Sequence, residues 1–517
     1  MKLDLRLVNA DVLTLDTDRP SAREIGVWQG RVLGLDEEIA DLPAREVVDL
    51  RGATVLPGFI DAHVHLAWAG LKACTVSIAA CESLAEALAV IRDAPGTDWV
   101  DIAGYDQRPY GRHLTAAELD SVSGGRRVIV SHNSGHACVV NSAVLAQLPQ
   151  GTSHEDGLLA ESGMAAVREL RQPYSISELV DAIEHAARTC RSEGVTACAE
   201  AGIGGGLITH SPVELAAYQA ALAADRLPVR VQLMVAGNAL HPVAAHVTDD
   251  IPRALDLGLR TGFGGDRLSI GALKIFTDGG MMARTAALTE PYVGLDHSGQ
   301  FYDEPELLRQ VVLDGHRAGW QLAIHAIGDR AVDLALDSLE QAQRICPRPL
   351  ARHRIEHAGL VRDDQLARFA SVGAAAVVQP NFLWYLGDDY AAIMGESRAP
   401  WLYRGRGFLD HGVPLVGSSD RPVTIGAPLR AIQFMVERRT ERGLKVGPSE
   451  GIGVLEALRA YTVNAAHACN WERSLGSIAP GKHADFAVLA EDPRVVEASR
   501  IGDIEVLRTY VAGQENQ

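Results

Sequence analysis

"PGFIDAHVHLAWAG", residues 57–70, places His63 and His65 two apart at the end of a short apolar run. Side chains alternate faces along a strand, so an HxH pair shares one face. Two imidazoles pointing the same way at the end of a buried strand make a metal-ligand pattern. Two ordinary polar residues at a strand end would look the same. The rest of the chain decides between the two.

Further apolar runs rich in β-formers follow. They are "VTACAEAG" (195–202), "VRVQLMVAG" (229–237), "IGALKIFTDGG" (270–280), "QLAIHAIGD" (321–329), "RIEHAG" (354–359), "AAAVVQPN" (374–381) and "VPLVGSSD" (413–420). Helical patterns separate most of them, such as "EPELLRQVVLDGHRAG" and "DDQLARFASVG", and several of these end in Gly, as helix C-termini do. Continuous apolar strands alternating with helices predict a parallel sheet covered by helices. With the HxH run first, the count of eight predicts an α/β fold, a closed (β/α)8 TIM barrel. No GxGxxG followed by an acidic residue supports a dinucleotide fold.

Both chain ends read differently. "LRLVNADVLTL" and "EIGVWQGRVLGL" alternate with period two, and Gln29-Gly30 marks a hairpin turn between the strands flanking it. "GSIAPGKHADFAVLAEDP" and "EVLRTYVAGQ" repeat that style near the C-terminus. The expectation is a small β-sandwich domain built from residues 1–56 and 470–517. A barrel over 57–469 lies between them, with an α/β insertion at about 70–190.

Composition narrows the function classes. Of 517 residues, 47% are hydrophobic and 22% charged, which is ordinary globular composition. The formal net charge of −18, without a cluster of Lys and Arg, gives no expectation of nucleic-acid binding. No run approaches the roughly 18 apolar residues of a membrane span, and the opening lacks a signal-peptide pattern. Seven scattered cysteines without a CxxC pair suggest reduced thiols and a cytoplasmic protein.

In a barrel of this kind the chemistry sits at the C-terminal ends of the strands. There the runs carry His63 and His65, Lys274, His325, Glu356 with His357, and Asp420. Four histidines, a lysine and an aspartate on one rim favour a metal centre. Imidazole and carboxylate suit zinc, and also iron, nickel or manganese, as one or two ions. Asp420 is placed to take a proton from an activated water and return it to a leaving nitrogen. A protonated Lys274 cannot ligate a cation; carboxylated on Nζ, it becomes an anion able to bridge two ions.

These residues carry a resemblance. "LPGFIDAHVHL", "SGHACVVNSAVL", "ALKIFTDGGMMARTAAL", "IHAIGDRAVDLAL", "RIEHAGLV" and "GSSDRPV" are similar, in matching order, to blocks of the metal-dependent amidohydrolase superfamily. The branch resembled is the YtcJ-like amidohydrolase family 3, whose best-known nearby activity is N-substituted formamide deformylation. The resemblance covers nearly the whole chain. It implies His63 and His65 as ligands of one metal and His325 and His357 as ligands of a second. It also implies a carboxylated bridging lysine at Lys274 and a catalytic aspartate at Asp420, itself a ligand.

Candidate substrate contacts are His136, a second catalytic donor in the insertion, with Trp68, Tyr105, Arg284, Gln379, Asn381 and Arg421. The two arginines would grip an anionic group or pair with acids such as Asp278. The expected function is metal-dependent hydrolysis of a carbon–nitrogen bond in a small molecule, an amide, N-formyl or cyclic amide. The alternatives are the same metal barrel acting on an ester or another bond, an isomerase or decarboxylase, or a non-catalytic binding scaffold. A homo-oligomer, a dimer, is expected by the same resemblance.

Overall fold

The computed structural model describes residues 1–132, 137–160, 162–205 and 208–515. The chain divides into two compact units. One comprises Met1–Leu66, Ala186–Thr209 and Leu215–Gln517; the other comprises Ala67–His185 and His210–Glu214.

The first unit holds an eight-stranded sheet whose strands run in sequence order. They are β1 (Phe59–Val64), β2 (Val195–Ile203), β3 (Arg230–Ala236), β4 (Leu268–Phe276), β5 (Leu322–Ala326), β6 (Arg354–His357), β7 (Ala375–Val378) and β8 (Leu415–Gly417). Every neighbouring pair is parallel. The ring closes just beyond the ends of β1 and β8. Asp420 N–H donates to His63 O (2.7 Å), and His65 N–H donates to Arg421 O (3.0 Å). This is the expected barrel.

The strands are shorter than the runs that announced them. "TVLPGFIDAHVHL" splits at Gly58: Thr54–Pro57 joins another sheet and β1 begins at Phe59. Gly58 stands against β2 so closely that a Cβ there would meet Thr196 at 2.2 Å. The barrel interior is lined by small residues, among them Ala62, Ala197, Ala199, Ala272 and Ala323. Residues 465–475 pack into the same cluster, continuing a segment that starts at Tyr461. It bonds to residues at the starts of strands: Ile60 N–H to Tyr461 O (2.8 Å), Gln321 Nε2 to Ala468 O (2.8 Å) and Gln232 Nε2 to Cys469 O (2.9 Å). The N-terminal mouth is thereby plugged, and the C-terminal rim is left for the chemistry.

The chain ends meet in two further sheets of the same unit. One orders Arg31–Leu35, Ile25–Trp28, Leu3–Val8 and Ala44–Asp49. The other orders Gln514–Glu515, Val506–Val511, Phe486–Leu489, Thr54–Pro57, Asp11–Leu13 and Ser21–Ala22. Leu5, Leu7, Val27 and Val32 of one pack with Val12, Val55, Phe486 and Val488 of the other. Gln29 and Gly30 both adopt positive φ (50° and 72°), as a two-residue hairpin turn requires.

The second unit is a five-stranded sheet, ordered Leu158–Ala160, Ala137–Val140, Arg127–His132, Trp99–Tyr105 and Val76–Ser77. Helices Leu84–Asp93 and Ala116–Ser123 supply Ala87, Ile91, Leu119 and Val122 to its core. Among the described residues, no helix is long and apolar enough to cross a membrane.

Arg230, at the start of β3, forms a bidentate pair with Asp485 (2.8 and 3.0 Å), and both residues are buried. Removing one partner strands the other charge. Arg230→Leu is expected to lower unfolding free energy by about 3–5 kcal/mol, read from the urea midpoint. A change below about 1 kcal/mol would show the pair to be dispensable.

Candidate metal centre

Four of the six predicted rim residues, His63, Lys274, His325 and His357, lie on four strands, with His65 one position beyond β1 and Asp420 three positions beyond β8. His63, His65 and Asp420 each offer a ligand atom, all within 4.8 Å of one another, and all three are buried. His65 Nε2 lies 3.0 Å from Asp420 Oδ1, and His63 Nε2 lies 3.5 Å from it. Lys274 Nζ is 3.2 Å from His63 Nε2. The His63 ring centroid is 4.9 Å from that of His357, which is 4.4 Å from that of His325. Asp420 and His357 hold positive φ (51° and 71°) without being glycine. Such backbone is sparsely populated and concentrates at functional sites.

Residues behind the rim fix each imidazole. His63 Nδ1 donates to Glu356 Oε2 (2.5 Å), leaving the Nε2 lone pair inward. Glu356 is held by Arg354 (Nε to Oε1 2.5 Å, Nη2 to Oε2 2.9 Å), and Arg354 Nη2 also reaches Ala62 O on β1 (2.5 Å). His357 repeats the pattern: its Nδ1 donates to Gln379 Oε1 (2.8 Å), and Gln379 Nε2 donates to Ser418 Oγ (2.9 Å). His65 Nδ1 faces Glu200 Oε1 at 3.5 Å. Glu200 also accepts from Leu66 N–H (2.7 Å) and the Tyr218 hydroxyl. His325 Nε2 donates to Gly279 O (3.2 Å), while its buried Nδ1 has no hydrogen-bond partner among the described residues. Metal-ligating imidazoles are ordinarily held in this way, one nitrogen bonded and the other presented.

The protonation states follow from the surroundings. Burial, then the Lys274 charge, keeps His63 well below the usual histidine range; burial and His325 do the same for His357. Burial pulls His65 down, but hydrogen bonds to Asp420 and Glu200 overcome it and raise the group to about 9. Burial pushes Asp420 up, and His63, His65 and Lys274 more than offset this, so it stays ionised. Burial lowers Lys274 to about 8, within reach of the neutral amine. The donor set fits a divalent cation that would take the place of the proton on His65: neutral His63 and His357, an ionised Asp420 carboxylate, and the orphaned buried Nδ1 of His325.

The proposed substrate contacts fare unevenly. Gln379 is buried against His357. Asn381 lies in the first turn of helix Pro380–Met394, not on β7, and its Nδ2 donates to Ser419 O and Thr424 Oγ1 (both 2.7 Å). Arg421 is buried and bound to Glu193, and Arg284 is exposed. Neither is bonded to Asp278, whose carboxylate accepts instead from the N–H groups of Ala287 (2.9 Å), Ile327 (3.1 Å) and Gly328 (2.9 Å). Trp68 and Tyr105 belong to the second unit. Trp68 lines a cavity of about 300 Å³ there with Asp101, His132, Arg171 and Tyr174. The Tyr105 hydroxyl accepts from Leu114 N–H (2.9 Å) and lies 3.1 Å from His113 Nδ1. His136 lies outside the described residues.

Sequence reasoning missed Asp61, Glu200 and Arg354. Asp61 had a signal, since it extends the same-face spacing to Asp61-x-His63-x-His65. It accepts from Ser419 N–H (2.9 Å) and Oγ (2.5 Å), and burial pushes it up to about 6. It pins the loop carrying Asp420 to β1.

Residues 46–515 match the amidohydrolase family. The chain belongs to that family. It is 30% identical to the N-substituted formamide deformylase of Arthrobacter pascens, over 99% of this chain and 97% of that protein. It is 28% identical to the putative amidohydrolase YtcJ of Bacillus subtilis, over 91% and 90%. Among solved structures, an uncharacterized metal-dependent hydrolase from Pyrococcus horikoshii superposes with a TM-score of 0.80 at 27% identity, covering 96% of this chain and 99% of that one. The amidohydrolase-family chain is thus an enzyme, a hydrolase acting on carbon–nitrogen bonds other than peptide bonds.

Glu356 is the ligand-orienting group whose loss is most informative. Glu356→Gln is expected to weaken zinc affinity about 10–100-fold, measured by competition with a chromogenic chelator. Unchanged affinity would mean that His63 needs no such partner.

Proposed function

We propose that this amidohydrolase-family enzyme hydrolyses an amide, N-formyl or cyclic amide bond of a small molecule, with Asp420 as general base and then general acid. The observation that carries this is the position of an ionised Asp420 carboxylate, 3.0 Å from His65 Nε2 and 3.5 Å from His63 Nε2. His63, His65, Lys274, His325 and His357 would hold one or two divalent ions, zinc being the first choice by donor chemistry. Such an ion, when bound, supplies Lewis acidity that polarises a carbonyl and acidifies water. The chain's own part is to orient and to move protons. Asp420 takes a proton from the attacking water at Oδ1 and delivers it to the departing nitrogen. Glu356 and Gln379 keep the His63 and His357 lone pairs facing inward.

Lys274 supports a bridging role by its lowered affinity for a proton, since carbamate formation needs the neutral amine. An amide of a formyl or acyl group is favoured as substrate by the deformylase relative's name.

The test is a panel of N-formyl, N-acyl and cyclic amides with zinc-reconstituted protein, monitored by amine release. At least one class should turn over. Asp420→Asn should lower kcat by about 10²–10⁴ with the fold intact by circular dichroism. Turnover unaffected by Asp420→Asn would overturn the assignment. Chelation should abolish activity and added zinc restore it; activity surviving exhaustive chelation would remove the metal from the account. With ¹³C-bicarbonate, the wild type should show a carbamate resonance that Lys274→Arg lacks; no resonance in the zinc-loaded wild type would rule out carboxylation.

A further inference from the structure

The cavity of about 300 Å³ lies within the second unit, and none of the candidate metal ligands lines it. That volume is at the small end for a ligand pocket. Helix Ser162–Arg171 forms one wall. Its Met164, Val167, Arg168 and Arg171 recur at i, i+3, i+4 and i+7, which is one helix face, and all four line the cavity. The sheet forms the opposite wall. Ile129 and Ser131 are two apart on one strand, Asp101 is paired in register with Ile129, and Cys138 with Ser131. These four therefore share one sheet face, and they too line the cavity.

The helix face changes character along its length. Met164 and Val167 come first and pack with Ile129 and Cys138 in one apolar cluster; the two guanidinium groups follow. The Arg171 side chain is 8% exposed. Its Nε and Nη2 donate to Asp101 Oδ2 (3.1 and 2.9 Å), Nη2 also donates to Glu178 Oε1 (2.7 Å), and Cζ lies 3.8 Å over the Tyr174 ring. Its Nη1 makes no hydrogen bond among the described residues, although the rest of the group is locked in place. Arg168 is exposed, and its guanidinium has no hydrogen-bond or ion-pair partner among the described residues. On the cavity wall two arginines thus face one carboxylate, that of Asp101. Burial pushes the Cys138 thiol up to about 11, against the pull of Arg168, so it adds no negative charge.

We propose that this cavity binds a small organic monocarboxylate with an apolar, ring-sized body. The acid lies against Arg168 and Arg171 Nη1, and the body against Trp68, Met164 and Val167. This stands apart from the amide-hydrolase reading given above. Guanidinium N–H groups suit a carboxylate by charge and by planar geometry. Asp101 and Tyr174 already fix the Arg171 guanidinium, so little freedom is lost when a ligand meets it. An apolar wall with a few convergent polar groups at one end is the pattern of a small-molecule site. An inorganic anion would leave the apolar wall unused, and a neutral ligand would leave Arg168 uncompensated.

The test is calorimetric titration of the zinc-loaded, full-length protein with phenylacetate. The acid should bind, and phenylacetamide, of the same shape without the charge, should bind about tenfold or more weakly. Arg168→Met changes an exposed position, so the fold should hold; its affinity for phenylacetate should fall about tenfold or more. No binding to the wild type, or equal binding to wild type and Arg168→Met, overturns the proposal. A carboxylate could also reach the metal centre, so His63→Ala is titrated in parallel. Binding lost in His63→Ala but kept in Arg168→Met overturns the proposal too. The source of the carboxylate is read from kinetics on amides that the panel turns over. If it is the substrate's own end, Arg168→Met should raise KM for carboxylate-bearing amides about tenfold more than for neutral ones. If it is a free acid, the ratio of the two KM values should stay at its wild-type value; either result agrees with the site. Should no amide turn over, the hydrolase reading fails, and the titrations still decide what the cavity binds.

Discussion

Two backbone hydrogen bonds close the barrel, and they lie at the site itself. Asp420 N–H reaches His63 O, and His65 N–H reaches Arg421 O. Both ends of the seam therefore carry candidate ligand atoms, and the ring cannot close without bringing His63, His65 and Asp420 together. Asp61 reinforces the seam through Ser419, immediately before Asp420. Three residues of β8 suffice because the residues after it, 418–421, do the joining.

Closing the seam buries a dense set of charges, which the interior must compensate. Glu356 is matched by Arg354, and Glu200 by the Tyr218 hydroxyl and the Leu66 N–H. Asp278 is matched by three backbone N–H groups. Lys274, with burial drawing it towards neutrality, and His65, held protonated between Glu200 and Asp420, complete the balance. A divalent cation bound there would replace positive charge that this arrangement already requires. The polar network thus positions the imidazoles and also makes their burial tolerable.

Much of this was legible in the sequence, for identifiable reasons. The apolar runs of a parallel barrel are continuous, so all eight stand out, and the rim residues lie at or just past their ends. The HxH spacing exposes a shared face by strand geometry alone. What stayed hidden depended on contacts between distant positions. Nothing local in "RIEHAG" says that Arg354 neutralises Glu356 or that Glu356 orients His63, 293 positions away. An arginine's partner is equally invisible. Arg421 sits beside Asp420 in sequence, yet its guanidinium is bound to Glu193. The Pro380 that starts a helix moves Asn381 off the strand where period two had placed it.

The central claim is that β1 and the loop after β8 jointly hold a divalent ion. Zinc-edge anomalous scattering from crystals of the zinc-loaded, hydrolytically active protein tests this most directly. The account predicts an anomalous peak bonded by His63 and His65 and adjacent to Asp420. An active crystal whose zinc peaks all lie away from these three side chains would contradict it.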